Sequence, residues 1–127
     1  SQTLKFDEKV GLLEVPSFQR VEGFLSQTAE LLEVDQEIMV YSFVLLKRFL
    51  EYSQWTLRAG MWRPLILTAI LLALKIEDKV LPTRQSLAHV YNIYTPREFD
   101  LMESAFLRVV DYRVVITREE FCHHLHQ

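Results

Sequence analysis

The sequence predicts an all-α domain wrapped around one buried helix, and three observations carry that prediction. From Leu65 to Leu74 every position except Thr68 is apolar, and the Ala, Leu and Ile that dominate the run all suit a helix. A helix that is apolar on every side stays in water only when other helices enclose it. Gly and Pro number three and four among 127 residues, too few for a turn-rich β protein. Outside this run, apolar residues recur at three- and four-residue steps, the spacing of one helix face.

The totals narrow the classes further. A chain of 127 residues makes one domain, and a hydrophobic content of 50% supplies a core and excludes disorder. A net charge of −3 argues against nucleic acid as the main partner, because phosphate binding needs a basic surface. The apolar run is well short of the roughly twenty residues that span a bilayer, so no membrane span is expected. With Cys122 as the single cysteine no internal disulfide can form, which fits a reducing, intracellular setting, cytoplasmic or nuclear. The N-terminal stretch is not of the signal-peptide type. The first residue is Ser rather than Met, which leaves room for further chain at either end.

Residues 1–15 read as an N-terminal arm and residues 16–127 as the domain. Pro16 opens the first helix, with Phe18, Val21, Phe24, Leu25, Thr28, Leu31 and Leu32 on one face. Gly23 weakens this helix and is expected to mark a close contact with a neighbour. Asp35 is the N-cap of the second helix and Glu37 suits its first turn. Ile38, Tyr41, Ser42, Leu45, Phe49 and Tyr52 line one side of it, broadened by Met39, Phe43, Leu46 and Leu50. The helix ends near Ser53, and Gln54 to Met61 is a loop. The central helix follows from Trp62 to about Glu77, with Pro64 in its first turn, and Lys79-Val80-Leu81-Pro82 breaks it. Thr83 caps a short helix through Tyr91. Thr95-Pro96-Arg97-Glu98 is a capping box opening a helix with Phe99, Met102, Phe106, Val109 and Val110 on one side and Glu103 among them. Asp111 to Ile116 is a partly extended connector. Thr117-Arg118-Glu119-Glu120 is a second capping box, opening a terminal helix through Phe121 and Leu125. The plan is a five-helix bundle around a central buried third helix, plus the arm and the C-terminal helix.

Five stretches carry a resemblance. Leu71-Leu72-Ala73-Leu74-Lys75-Ile76-Glu77-Asp78 resembles the third helix of the cyclin box. Leu101-Met102-Glu103 and Phe106-Leu107-Arg108-Val109-Val110-Asp111-Tyr112 resemble its fifth. Lys47-Arg48-Phe49-Leu50 resembles the Asp-Arg-Phe-Leu that closes its second. Pro16-Ser17-Phe18-Gln19-Arg20-Val21 is similar to the start of the box in the single-box P-type, phosphate-regulon and Y-type cyclins. Each motif alone is weak, and their order across most of the chain makes the match specific. The resemblance implies a cyclin-box fold and a partner rather than a reaction. A cyclin binds a cyclin-dependent protein kinase and turns in the mobile helix of its N-lobe, without which the kinase's Lys–Glu pair does not form. Such regulation belongs to the cell cycle and kindred programmes. Carried over by motif, Lys75 and Glu103 grip backbone just before the kinase helix. Leu72, Ile76, Leu107, Tyr112 and Val114 form the apolar floor, and Glu77 and Asp78 meet basic kinase residues.

The residues themselves are compatible with that role. Lys75 falls in the last turn of its helix, where the dipole favours a cation, and Glu103 is expected near the first turns of its own, where an anion is favoured. The match also departs from the family. Lys47 stands where the pattern has Asp, Phe18 where that Asp's Arg partner lies, and Leu74 where Ser is usual. The helix packing that pair secures must therefore be held some other way, and the substrate-docking patch is not carried over. These departures motivate a second reading, a divergent cyclin-fold scaffold that activates no kinase. A third, a transcription-type cyclin fold on DNA, is disfavoured by the net charge. No nucleophile–base pair, phosphate loop or carboxylate pair points to an enzyme, and no cofactor is implied. Cys122 and His126 lie one helical turn apart, but lacking a second group of ligands they read as a solvated tail before a metal site.

Overall fold

The computed structural model describes residues 18–53, 62–83 and 95–125. The expected arm at 1–15, the loop at 54–61 and, beyond Thr83, the short helix expected through Tyr91 lie outside the described residues. Within them the chain forms five helices and no strand: α1 (Phe18–Leu31), α2 (Gln36–Tyr52), α3 (Trp62–Ile76), α4 (Pro96–Val109) and α5 (Arg118–Leu125). The helix expected as the fifth of the bundle is thus α4 here, and the terminal one is α5.

The central role expected for α3 holds. It packs on α1, α2 and α4, most extensively on α2. Every residue from Leu65 to Leu74 is buried except Leu71, which is half-buried against the same core. From α2 the core takes Ile38, Leu45, Leu46, Phe49 and Leu50, from α1 Val21 and Leu25, from the turn after it Leu32, and from α4 Phe106. The Phe49 and Phe106 rings stack at 4.8 Å, joining α2 to α4. Among the described residues three polar side chains are buried in this core, Thr28, Ser42 and Thr68. Each donates its hydroxyl to the carbonyl one turn back in its own helix, Phe24, Ile38 and Pro64 respectively, at 2.6–2.8 Å. Burial without such bonds would be costly.

The helix starts follow the sequence. Asp35 Oδ1 accepts from the Ile38 backbone N–H at 2.9 Å. Thr95 and Thr117 accept from the N–H groups of Glu98 and Glu120 at 3.2 and 3.1 Å. The helix ends do not announce themselves. After α1, α3 and α4 the chain turns through Glu33, Asp78 and Asp111 in the left-handed region, with φ of 57°, 53° and 54°. At each the next residue bonds back across the turn: Val34 to Ala29, Lys79 to Leu74 and Tyr112 to Leu107, at 2.8–3.0 Å. This is the Schellman geometry, usually built with Gly.

Some expectations of burial are corrected. Leu31, the last residue of α1, is 56% exposed, and the core position falls to Leu32 in the turn that follows. Tyr52, at the end of α2, is exposed, whereas Val40 and Val44 are buried on a second face, on the helix that packs against α5. Among the described residues Gly23 marks no close contact: a Cβ there would meet nothing within 4 Å. Nor is the tail entirely solvated, for His124 is half-buried and sets its ring edge-on to Phe43 at 5.6 Å.

Candidate functional site

The last turn of α3 is where the core helix reaches the surface. Lys75 follows directly on buried Leu74, and its Nζ donates to Glu103 Oε2 on α4 at 2.5 Å. Both side chains stay partly open to solvent. The packing of α3 on α4 thus delivers the two charges to one place, as the side-by-side arrangement required. The electrostatic argument for Glu103 needs correction. It is in the middle of α4 rather than its first turns, and Glu98 occupies the N-terminal turn. The dipole fades beyond the terminal turn, so Glu103 is held by Lys75 and not by the helix end. Lys75 does lie in the last turn of α3.

The remaining predicted site residues divide by depth. Ile76, Asp78 and Tyr112 are exposed, Tyr112 at 65%. Glu77, Leu107 and Val114 are half-buried. Leu72 is 3% exposed and belongs to the core, so it supports the surface from beneath and offers a partner no face of its own. Asp78 owes its position to the left-handed turn that stops α3. Tyr112 follows Asp111 in the same conformation, with φ of 58°, and its N–H closes on the Leu107 carbonyl at 2.8 Å.

Two residues outside the predicted set organise the connector after α4. Tyr41 donates its hydroxyl to the Val114 carbonyl at 2.6 Å. Burial raises the phenol's pKa above its ordinary value and the charge of Glu77 adds to the rise, while Arg48 and the Ile116 backbone pull it back. About two turns further along α2, Arg48 Nη1 donates to the Arg113 and Val115 carbonyls at 2.7 and 2.8 Å. Its Nη2 donates to both carboxylate oxygens of Glu120 at 2.8 Å. Arg48, next to Lys47, ties α2 to the connector and to α5, while α1 and α2 meet through the shared apolar core of Val21, Leu25, Ile38 and Leu45. Arg48 lies in the Lys-Arg-Phe-Leu motif, and Glu120 in the second capping box. Each was visible locally, but nothing in the sequence paired them.

Arg48, Tyr52 and Glu120, with residues 112–115 and Thr117, line an open depression beside this connector. Among the described residues no group of three or more His, Cys, Asp or Glu side chains is placed to hold a metal. No helix among them is long and apolar enough to cross a membrane.

Residues 19–115 match the family model described as the cyclin N-terminal domain, a stretch that runs from α1 through the connector. No curated protein and no solved structure matches the chain.

Proposed function

Since the chain belongs to the cyclin family by its N-terminal domain, we propose that it is a regulatory cyclin and not an enzyme. In this reading it docks on the mobile N-lobe helix of a cyclin-dependent protein kinase and holds that helix in its active position. No group on the cyclin takes part in the phosphoryl transfer. What the kinase needs is a surface that turns its helix in, so that its own Lys–Glu pair closes.

The observation that supports this reading best is the Lys75–Glu103 pair. A partly exposed ion pair contributes at most about 1 kcal/mol to stability. This one is therefore poorly explained as a fold-stabilising device. It instead holds a three-proton donor and a carboxylate acceptor in fixed positions, next to the exposed apolar Ile76. Such a pair can bond the carbonyls and N–H groups that a partner's backbone leaves open before a helix starts. Tyr112 supplies an exposed aromatic, and Glu77 and Asp78 favour a basic partner surface. Beneath them the α3–α4 packing, with Leu72 in it, keeps the pair in register.

The reading is tested by measuring affinity for candidate cyclin-dependent kinases with wild type, Lys75→Glu and Glu103→Ala. Each substitution is expected to weaken binding about 30-fold or more, the cost of about 2 kcal/mol for breaking a charge pair that the partner covers. Unfolding free energies should stay within about 1 kcal/mol of wild type. Equal binding by all three proteins would overturn the assigned surface. Affinity purification that recovers structural partners and no kinase would favour the scaffold reading suggested by Lys47, Phe18 and Leu74.

A further inference from the structure

We propose that Tyr41 and Arg48 are positioning residues for the docking surface: they clamp the connector 113–115 and thereby fix the pose of Tyr112 before a kinase arrives. The proposal rests on the docking reading above and adds the means by which one of its contacts is prepared.

The connector belongs to neither helix nor strand, so no ladder satisfies its carbonyls. Instead, the carbonyls of Arg113, Val114 and Val115 accept in sequence from Arg48, Tyr41 and Arg48. Arg48 is itself locked from the far side. Glu120 takes both Nη2 bonds, and Thr117 ties down Glu120 through the reciprocal bonds of the capping box at 3.1–3.4 Å. A guanidinium held at both edges has a fixed plane, which a lysine ammonium cannot reproduce.

Tyr112 begins this clamped segment. It combines two features that seldom occur together, a left-handed backbone on a bulky residue and wide exposure of the ring. A residue persists in so sparsely populated a region when its surroundings over-determine it. On its N-terminal side the α4 stop does so through the Leu107 carbonyl, and on its C-terminal side the clamp does so. An exposed ring carried on a fixed backbone has less freedom to lose on binding, the gain that preorganisation supplies.

A double-mutant cycle separates this role from mere support of α5. Affinity for the partner kinase is measured for wild type, Arg48→Lys, Tyr41→Phe, Tyr112→Ala and the two pairs that combine each clamp change with Tyr112→Ala. Arg48→Lys is expected to weaken binding about tenfold and Tyr41→Phe severalfold. Neither should weaken it further once Tyr112 is Ala, because both act through that ring. Losses that simply multiply would overturn the clamp. Thermal melts run alongside. Should Arg48→Lys prove unfolded at the assay temperature, the Tyr41→Phe cycle, which removes one hydroxyl only, decides between coupling and additivity by itself. Lys75→Glu is the reference. If it binds as wild type does, the docking reading fails and the clamp falls with it. If it fails to bind while the cycle is additive, the clamp alone is wrong.

Discussion

Glu120 serves two neighbours with one carboxylate. It closes the Thr117 capping box and it receives both Nη2 bonds of Arg48. Burial works against its charge, but the bonds from Arg48 and Thr117 outweigh burial and hold its pKa below the ordinary 4.5. A carboxylate whose pKa is lower in the folded state contributes stability above its unfolded pKa and loses it as pH falls through the folded value. Denaturant unfolding followed between about pH 6 and pH 3 should therefore show a loss confined to the acid side of about pH 4.5, and Glu120→Gln should flatten part of it. An unchanged acid limb in that variant would dissociate the pair from stability. At this scale the sequence was only half legible. Thr117 and Glu120 could be paired because a capping box is a short local pattern. Arg48 could not be assigned to Glu120, because their pairing is set by how α5 returns onto α2.

The helices were legible where their signals are local. Asp35, Thr95 and Thr117 all cap as their positions imply, and the three- and four-residue steps place Leu25, Leu45 and Phe106 inside. The stops of α2, α3 and α4 fall within a residue of where the sequence places them, but the left-handed turns after α1, α3 and α4 were not legible, because such a turn is normally announced by Gly and here falls on Glu33, Asp78 and Asp111. Gly23 misled in the opposite direction. It weakens α1 with no neighbour among the described residues to justify it. Gly23→Ala should accordingly raise stability by about 1 kcal/mol, seen as a higher denaturant midpoint with an unchanged slope. A destabilised variant would mean that something outside the described residues covers that face.

On the scale of the whole molecule, α3 is the common neighbour of α1, α2 and α4. Its length and apolar character made this legible before any contact was known. Ile70 is fully buried within it, so Ile70→Ala should cost about 2–5 kcal/mol, measured by denaturant unfolding, out of a total that for such domains is about 5–15 kcal/mol. A loss below about 1 kcal/mol would show that the surrounding helices collapse onto the gap. The site was less legible than the fold. Lys75, Glu103 and Tyr112 came from motifs, but the depth of Leu72 and the roles of Tyr41 and Arg48 depend on how distant stretches of chain meet.

The three buried hydroxyls have one more consequence, for how the sequence can drift. Thr28, Ser42 and Thr68 each donate within their own helix, to a carbonyl that an α-helix already supplies with a backbone donor. Replacing any of them with a small apolar residue leaves no stranded group on a neighbouring helix. No second substitution has to arrive alongside it. A lineage carrying this core can exchange those positions one at a time, in any order, while a change at Arg48 or Glu120 takes a bonding partner from a residue on another stretch of the chain, and one at Thr117 takes a partner from Glu120.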